Sequence, residues 1–575
     1  MRLRHLSVER FRGIERLDWS PAGRVVALIG PGDATKTTIL DAIGLLVTPR
    51  VAVTFSDADF YRADPSAGFR IEGTISELPR AILADDRLGL ELRGVDEDGV
   101  IHDEPGDFEP AVTMRLDVND SLEPTWSVVS ERNPDGRVLT ARDRALLGVS
   151  RVGDSVERQF TFGRGTALTR LATSTDQLKH TMAAAHRLAR DAVASADLGD
   201  LSRVIEQAER AAAELGAGPV TEDLEVRLDA SPNGTSALGL HSNDIPLSAA
   251  GLGTRRLVAL GLELLGTEHG AVLCVDEIEG GLEPHRVRHL LRTLRQKVAG
   301  KEPGQGQAIF TTHSAVALEE LHADEISVVR TSNGVTRVRS VPSDLAAMVR
   351  SVPEAFLARR VLVCEGKSEI GVVRALDRVW TARHEGRSLA HRGVVPALGG
   401  GSETGKRAQA FAQLGYPTAV LADSDASFEP DHEALAAMGV EVVRWDENCC
   451  IEERAAKDLS WDSICALFEI LVAEGYLPDQ LVDIIAATPV SVAACERVGV
   501  GRTSLGLSLC DMVKAGFSET EVRLSFAQAS KGKAAWFKRI DRGEKLGEVI
   551  ADDPTAGKKD LGRKLADVER WCFAG

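Results

Sequence analysis

The sequence predicts an α/β protein made of two successive strand-and-helix units. The first is interrupted by an insertion, and the second is followed by a helical region. Three observations predict this. The apolar run 25–29 ends in a glycine-containing loop and is followed by a helical apolar pattern, Ile39, Leu40, Ile43 and Leu46. Two more apolar runs, within 271–284 and 308–314, stop abruptly at polar residues. After Pro353 a new series of apolar runs begins, each ending in glycine or acid. Alternating strands and helices build parallel sheets, whose chemistry sits beyond the C-terminal ends of the strands.

The bulk numbers set the frame. At 575 residues the chain is too long for one domain, and 43% hydrophobic residues can fill several cores. No apolar run approaches the roughly 20 residues of a membrane helix. The opening, MRLRHLSVERFRGI, has no apolar stretch of the signal-peptide kind. A cytoplasmic protein without a membrane partner is expected. Eight cysteines include no C-x-x-C pair, so reduced structural thiols are expected, Cys449-Cys450 included. A net charge of −18 argues against a uniformly basic nucleic-acid binder. Local patches decide such contacts, however. One patch comes late: Lys531, Lys533, Lys538, Arg539, Arg542 and Lys545, then Lys558, Lys559, Arg563 and Lys564.

The first unit contains a phosphate site. In "RVVALIGPGDATKTTILDAIGLL", a strand runs into Gly30-Pro31-Gly32-Asp33-Ala34-Thr35-Lys36-Thr37-Thr38 and then a helix. This is the context a P-loop requires. Gly30, Gly32 and the helix start bind phosphate through backbone N–H groups. Lys36 reaches the β/γ-phosphates and Thr37 ligates Mg²⁺, with Thr38 beside it. Thr35 stands where a second glycine is usual, which restricts the backbone. Downstream, "AVLCVDEIEGGLEP" ends a strand in Asp276-Glu277. Asp276 suits the Mg²⁺ shell and Glu277 suits orienting the attacking water. "AIFTTHS" places His313 to sense the γ-phosphate. Between the P-loop and these strands, "LSAAGLGTRRLVALGLELL" sets a serine and two glycines before a long apolar helix.

In that order these pieces resemble ABC-type ATPases of the RecF/SMC kind, over about residues 1–75 and 225–345. "LSVERFRGI" resembles their opening strand. Leu247–Gly253 departs from the usual L-S-G-G-Q, with Ala249-Ala250 in place of the glycines and Gly251 and Gly253 following. The resemblance implies that Ser248, Gly251 and Gly253 close the ATP site of a second subunit, and hence a dimer. Asp57 and Asp59 are both candidates for the Q-loop position. The intervening residues, 76–225, begin with short alternating runs that read as strands. They continue into alanine-rich segments that read as two helices, with a dimerisation arm expected.

The second unit carries carboxylates. "VLVCEGKSEI" ends a strand at Glu365, and Glu369 follows in the next helix, so the two share a face if that helix starts early. "PTAVLADSDAS" ends another strand in Asp423-Ser424-Asp425, and "DENCCIEER" adds Glu452 and Glu453. Such hard oxygen donors suit Mg²⁺ or Mn²⁺. On successive strands they resemble a TOPRIM domain. TOPRIM after an ABC ATPase resembles the OLD (overcoming lysogenization defect) family of nucleases, closest to the class that includes the Gabija anti-phage nuclease. That resemblance spans nearly the whole chain. It implies Glu365, Glu369, Asp423, Asp425 and Glu452 as ligands of two metals, and a C-terminal lysine that supports the transition state. Lys533 is the first candidate, then Lys531 and Lys538. It also implies a homodimer or homotetramer and a UvrD-like helicase partner.

The domain division expected is 1–75 and 226–345 for the ATPase halves, 76–225 for the insertion, 355–460 for the TOPRIM core and 461–575 for a basic helical end. The function expected is a metal-dependent DNA endonuclease, nicking, regulated by ATP with Mg²⁺. A topoisomerase needs a nucleophilic tyrosine, and Tyr61, Tyr416 and Tyr476 carry no recognisable motif. An ATP-gated DNA-binding or scaffold protein of RecF/SMC type with a non-catalytic TOPRIM domain stands as the alternative. RNA as the substrate stays open.

Overall fold

The structure is a computed structural model. It describes residues 1–48, 53–83, 88–144, 147, 149–153, 157–161, 166, 168, 171, 200–217, 224–230, 236–242, 244–267, 271–298, 306–531 and 535–574. The chain forms two compact units, Met1–Pro353 and Glu354–Gly575.

The first unit is organised by a 14-stranded sheet. One half is parallel. Val149–Val152, Val272–Val275, Gln307–Thr311, Val25–Ile29 and Ile326–Ser332 lie side by side in that order. Val25–Ile29, VVALI, is buried at every position, as a strand covered on both faces must be. The helix Lys36–Leu46 follows it and buries Ile39, Leu40, Ile43 and Leu46, one stripe at helical spacing. Val335–Ser340 and Ile14–Trp19 lead from the parallel half into an antiparallel half made of Arg2–Phe11, Phe69–Ser76 and Glu109–Val118.

This corrects the expected insertion. The 75/76 division falls inside the strand Phe69–Ser76. The strands Arg93–Val95, Glu109–Val118 and Pro124–Val129 continue the same sheet, and Val149–Val152 returns to pair with Val272–Val275. Of the two expected helices, the second is Asp200–Glu214. The first, over 174–198, lies outside the described residues.

The second unit holds a four-stranded parallel sheet in the order Val394–Leu398, Arg360–Cys364, Thr418–Ala422, Glu441–Arg444. The first strand in sequence, Arg360–Cys364, has the second on one side and the third on the other. The strand order therefore reverses between Arg360–Cys364 and Thr418–Ala422, the point at whose C-terminal ends such sheets open a crevice. The C-terminal helices are not a separate layer. One apolar core joins Leu362, Val372 and Trp445 to Phe526, Trp536, Phe537 and Trp571, so 460/461 is no break in packing.

The helix Lys367–Arg383 leaves the crevice and crosses Ile540–Asp552 on glycines. A Cβ on Gly371 would lie 2.6 Å from Glu544 N, and one on Gly543 2.6 Å from Ser368 O. Gly371→Ala is therefore expected to cost at least about 1–3 kcal/mol through overpacking, read as a lower denaturant midpoint at unchanged m-value. Among the described residues no helix is long and apolar enough to cross a membrane.

Candidate functional site

In the first unit the parallel strands deliver three polar segments to one sheet edge. Val25–Ile29 leads into the loop at Gly30, Gln307–Thr311 into Thr312 and His313, and Val272–Val275 into Asp276 and Glu277. Thr37 Oγ1 donates to Asp276 Oδ1 at 3.2 Å, and Thr311 Oγ1 donates to the same oxygen at 2.6 Å. Lys36 is buried and donates to the carbonyls of Gly30 and Pro31 at 3.0 and 2.8 Å. Burial pushes its ammonium down to about 8, against the opposing pull of Asp276, Glu277 and Asp33. His313 lies close enough to Lys36 to be shifted by it: burial and then the Lys36 charge lower its pKa. Thr38 follows, half-buried, in the first turn of the helix.

Thr35 resolves the missing glycine. It takes the left-handed conformation, φ 60° and ψ 17°, that glycine normally supplies. Such a backbone costs a non-glycine residue about 1–3 kcal/mol. Its hydroxyl lies 3.1 Å from those of both Thr331 and Thr336, which are 2.9 Å from each other. This threonine triplet fixes the loop where the motif has lost its glycine. Glu279 is a second feature the sequence reading missed. It accepts from Thr312 Oγ1 at 2.7 Å and from the His313 N–H at 2.6 Å, and so shapes the His313 turn.

Ser248, Gly251 and Gly253 have other neighbours. The Ser248 carbonyl accepts from Arg255, Gly253 packs on Gly281, and Gly251 is exposed. Of the two Q-loop candidates, Asp57 is exposed, while Asp59 accepts from Arg12 Nε at 3.0 Å. Arg12 also pairs with Asp41.

In the second unit the crevice collects carboxylates. The helix starts at Lys367, so Glu365 precedes it rather than sharing its face with Glu369. Glu365 caps the first strand instead. Its carbonyl accepts from Gly400 and Gly401 at 2.9 and 3.1 Å, and its Oε2 accepts from the Asp423 N–H at 2.9 Å. The glycine-rich turn after Val394–Leu398 thus clamps Glu365 to the neighbouring strand end. Asp423 Oδ1 accepts from Trp445 Nε1 at 2.9 Å and from the Ile451 N–H at 2.8 Å. Arg444 aims its guanidinium at the carbonyls of Asp423, Ser424 and Ala426, at 2.7–3.3 Å, and fixes the loop. Glu369 and Glu452 are both buried; Ser368 Oγ lies 3.4 Å from Glu452.

Electrostatics ties these acids together. Burial, then the charge of Glu369 and those of Glu452 and Glu365, pushes Asp423 up to about 9. Burial, with Glu452 and Glu365, pushes Glu369 up to about 7. Burial also raises Glu365, which feels Asp425 as well. Asp425 sits apart, on the rim. Its carboxylate, that of Glu453 and the Cys450 thiol lie within 4.8 Å of one another. Lys531 Nζ bridges the rim, 2.5 Å from Asp425 Oδ2 and 3.4 Å from Glu453 Oε2. Lys538 is exposed, and Glu365 feels its charge. Lys533 lies outside the described residues.

Glu365 and Asp423 follow strand ends, while Glu369 and Glu452 sit in the first turns of helices. Their oxygens are of the kind a hard divalent ion takes, but among the described residues the donors that lie close enough together to share one ion are Asp425, Glu453 and Cys450 on the rim. The basic patch is less available than its composition suggests. Arg539 pairs with Asp541, Arg542 with Glu474, Lys545 with Glu548, and Arg563 and Lys564 with Asp446, while Lys558 and Lys559 are exposed.

The sheet and the Lys36–Thr37–Asp276 cluster define the class, a P-loop nucleotide-binding protein. Residues 25–319 match the family described as AAA domain, putative AbiEii toxin, Type IV TA system, and the chain belongs to that family. A 120-residue stretch is 32% identical to the DNA replication and repair protein RecF of Roseiflexus castenholzii (strain DSM 13941 / HLO8). It covers 20% of this chain and 29% of RecF, so the chain spans under a third of that relative. Among solved structures, the SmcHead bound to the C-winged helix domain of ScpA is 15% identical, with 60% of this chain and 100% of that chain covered and a TM-score of 0.39. The SMC head domain from Thermotoga maritima is 18% identical, with the same coverage and a TM-score of 0.31.

Proposed function

We propose that this protein is a metal-dependent DNA endonuclease of the OLD kind, governed by ATP in an ABC-type dimer. The observation that carries the reading is the convergence of Glu365, Glu369, Asp423 and Glu452 at the reversal point of a parallel sheet, with Asp425 on its rim. The strand order and the placement of these acids support a TOPRIM reading. Glu365, Glu369, Asp423, Asp425 and Glu452 would hold two Mg²⁺ or Mn²⁺ ions. Paired divalent ions activate water and stabilise the leaving oxygen of a phosphodiester. Trp445, Ile451 and Arg444 orient Asp423, while Lys531 and Lys538 bring positive charge to the side where a phosphate enters. In the first unit Lys36, Thr37 and Asp276 would hold ATP with Mg²⁺, and Glu277 would orient water. Ser248, Gly251 and Gly253, around the start of the helix Leu252–Thr267, suit closure of a partner subunit's site.

Supercoiled plasmid incubated with the protein and Mg²⁺ or Mn²⁺ should convert to nicked circles, and EDTA should stop it. ATP-containing lanes give the sign of regulation. Trp445→Phe removes one donor to Asp423 and should weaken Mn²⁺ binding about 10-fold, as loss of a ligand's supporting hydrogen bond does, measured by calorimetric titration. A second reading, an ATP-gated DNA-binding protein, draws on the RecF likeness and on Lys531, which already offsets Asp425 and Glu453. It predicts ATP-dependent DNA binding with no nicking under any metal.

A further inference from the structure

The start of the helix Leu252–Thr267 is built onto the turn that follows Glu277. Arg256, on that helix and 4% exposed, donates through Nη2 to the carbonyl of Asp276 and to that of Glu277, the latter at 2.5 Å. Its guanidinium occupies space that Gly280 leaves open: a Cβ there would lie 2.8 Å from Nη1 and 2.9 Å from Cζ. Beside it, a Cβ on Gly253 would lie 2.5 Å from Gly281 O. Gly281, at φ 72°, has room for no side chain against Leu252. Three glycines thus let the helix start and the turn meet backbone to backbone.

Glu277 is the residue this contact holds. Its φ is 46°, a left-handed backbone that a glutamate keeps only where its surroundings over-determine it. Two elements do so. Thr311 Oγ1, on the strand beside the P-loop strand, accepts from the Glu277 N–H at 2.7 Å. Arg256 holds its carbonyl from the other side. The same helix begins directly after Gly251, and both Gly251 and Leu252 are exposed.

We propose that Arg256 is a positioning residue for ATP hydrolysis, transmitting the placement of the segment 248–253 to the backbone of Glu277 and so to the aim of its carboxylate. Whatever docks on the exposed Gly251 and Leu252, a second copy of this chain above all, is then felt at the hydrolytic glutamate of the same chain. The inference rests on the ATPase reading of Lys36, Asp276 and Glu277, and stands apart from the nuclease reading.

The test compares steady-state ATP turnover, binding of a fluorescent ATP analogue and melting temperature in the full chain, for wild type, Lys36→Ala, Arg256→Gln, Arg256→Lys and Gly280→Ala. Arg256→Gln and Gly280→Ala should lower kcat by about 10-fold or more, the scale of a catalytic group misplaced by under an ångström or so. Analogue affinity should stay within about threefold, because the phosphate cradle is untouched. Arg256→Lys should recover part of kcat. Unchanged kcat in folded variants overturns the proposal. So does a loss of kcat that only tracks lost ATP binding or lost folding. If wild type turns over ATP no faster than Lys36→Ala, the ATPase reading falls, and this proposal with it.

Discussion

Asp423→Asn is expected to lower plasmid nicking by at least about 10²-fold, the scale of removing a group that acts directly on the reacting centre, and to make the metal-free protein less sensitive to pH. Asparagine can keep the oxygen that accepts from Trp445 and Ile451, so the loop retains its hydrogen bonds. What it loses is charge. Burial and the charge of Glu369, with Glu452 and Glu365, hold Asp423 at about 9, and burial with Glu452 and Glu365 holds Glu369 at about 7, against about 4 in an unfolded chain. Between those limits the folded state binds more protons than the unfolded state, so stability falls as pH rises. The contribution is complete below about pH 4, and is lost as pH climbs through 7 and then 9. Metal-stripped wild type should therefore melt at lower temperature at pH 9 than at pH 5.5. Mg²⁺ should restore the difference, most strongly at the alkaline end, because binding displaces protons. In Asp423→Asn the pH slope should flatten and the Mg²⁺ response should shrink. A variant that melts and nicks like wild type at every pH would remove Asp423 from the site.

Lys36→Ala is expected to weaken ATP binding about 100-fold, near 3 kcal/mol, as loss of a buried charge-assisted phosphate contact does. Lys36 is tethered to the carbonyls of its own loop, and a phosphate would replace those acceptors. Burial holds its pKa at about 8. Wild-type affinity for ATP should therefore decline as pH rises past 8, as the ammonium loses its proton. Lys36→Ala should show no such decline. Titrations with a fluorescent ATP analogue at pH 7 and pH 9 read both effects. Equal affinity of variant and wild type would contradict the P-loop assignment.

How far the molecule was legible depended on range along the chain. The strands Val25–Ile29, Arg360–Cys364 and Thr418–Ala422 are short uninterrupted apolar runs ending in glycine or acid, and the eye finds them directly. Lys36-Thr37 and the acids at strand ends are local too. Strand order is not. That the strands after Ser76 extend the first sheet is set by pairings such as Phe69 with Val118 and Val149 with Val272, which no local pattern encodes. Supporting residues were hidden for the same reason. Trp445 and Arg444 matter because Glu441–Arg444 lies beside Thr418–Ala422, and Arg256 because its helix meets the turn after Glu277. Glu453 sat next to Glu452 in the sequence, but only the helix Ile451–Asp458 sorts them, one inward to Glu369 and Asp423, the other to the rim with Lys531. Thr35 looked like a defect in the phosphate loop until Thr331 and Thr336, some 300 residues away, closed around it.

The most direct test of the central claim is nicking of supercoiled DNA by wild type and Asp423→Asn side by side in Mn²⁺, at equal protein and with ATP turnover measured in the same samples. The account predicts nicking by wild type, none above background by Asp423→Asn, and equal ATP turnover by both. No nicking by wild type in any metal, with or without ATP, or equal nicking by the two proteins, would contradict it.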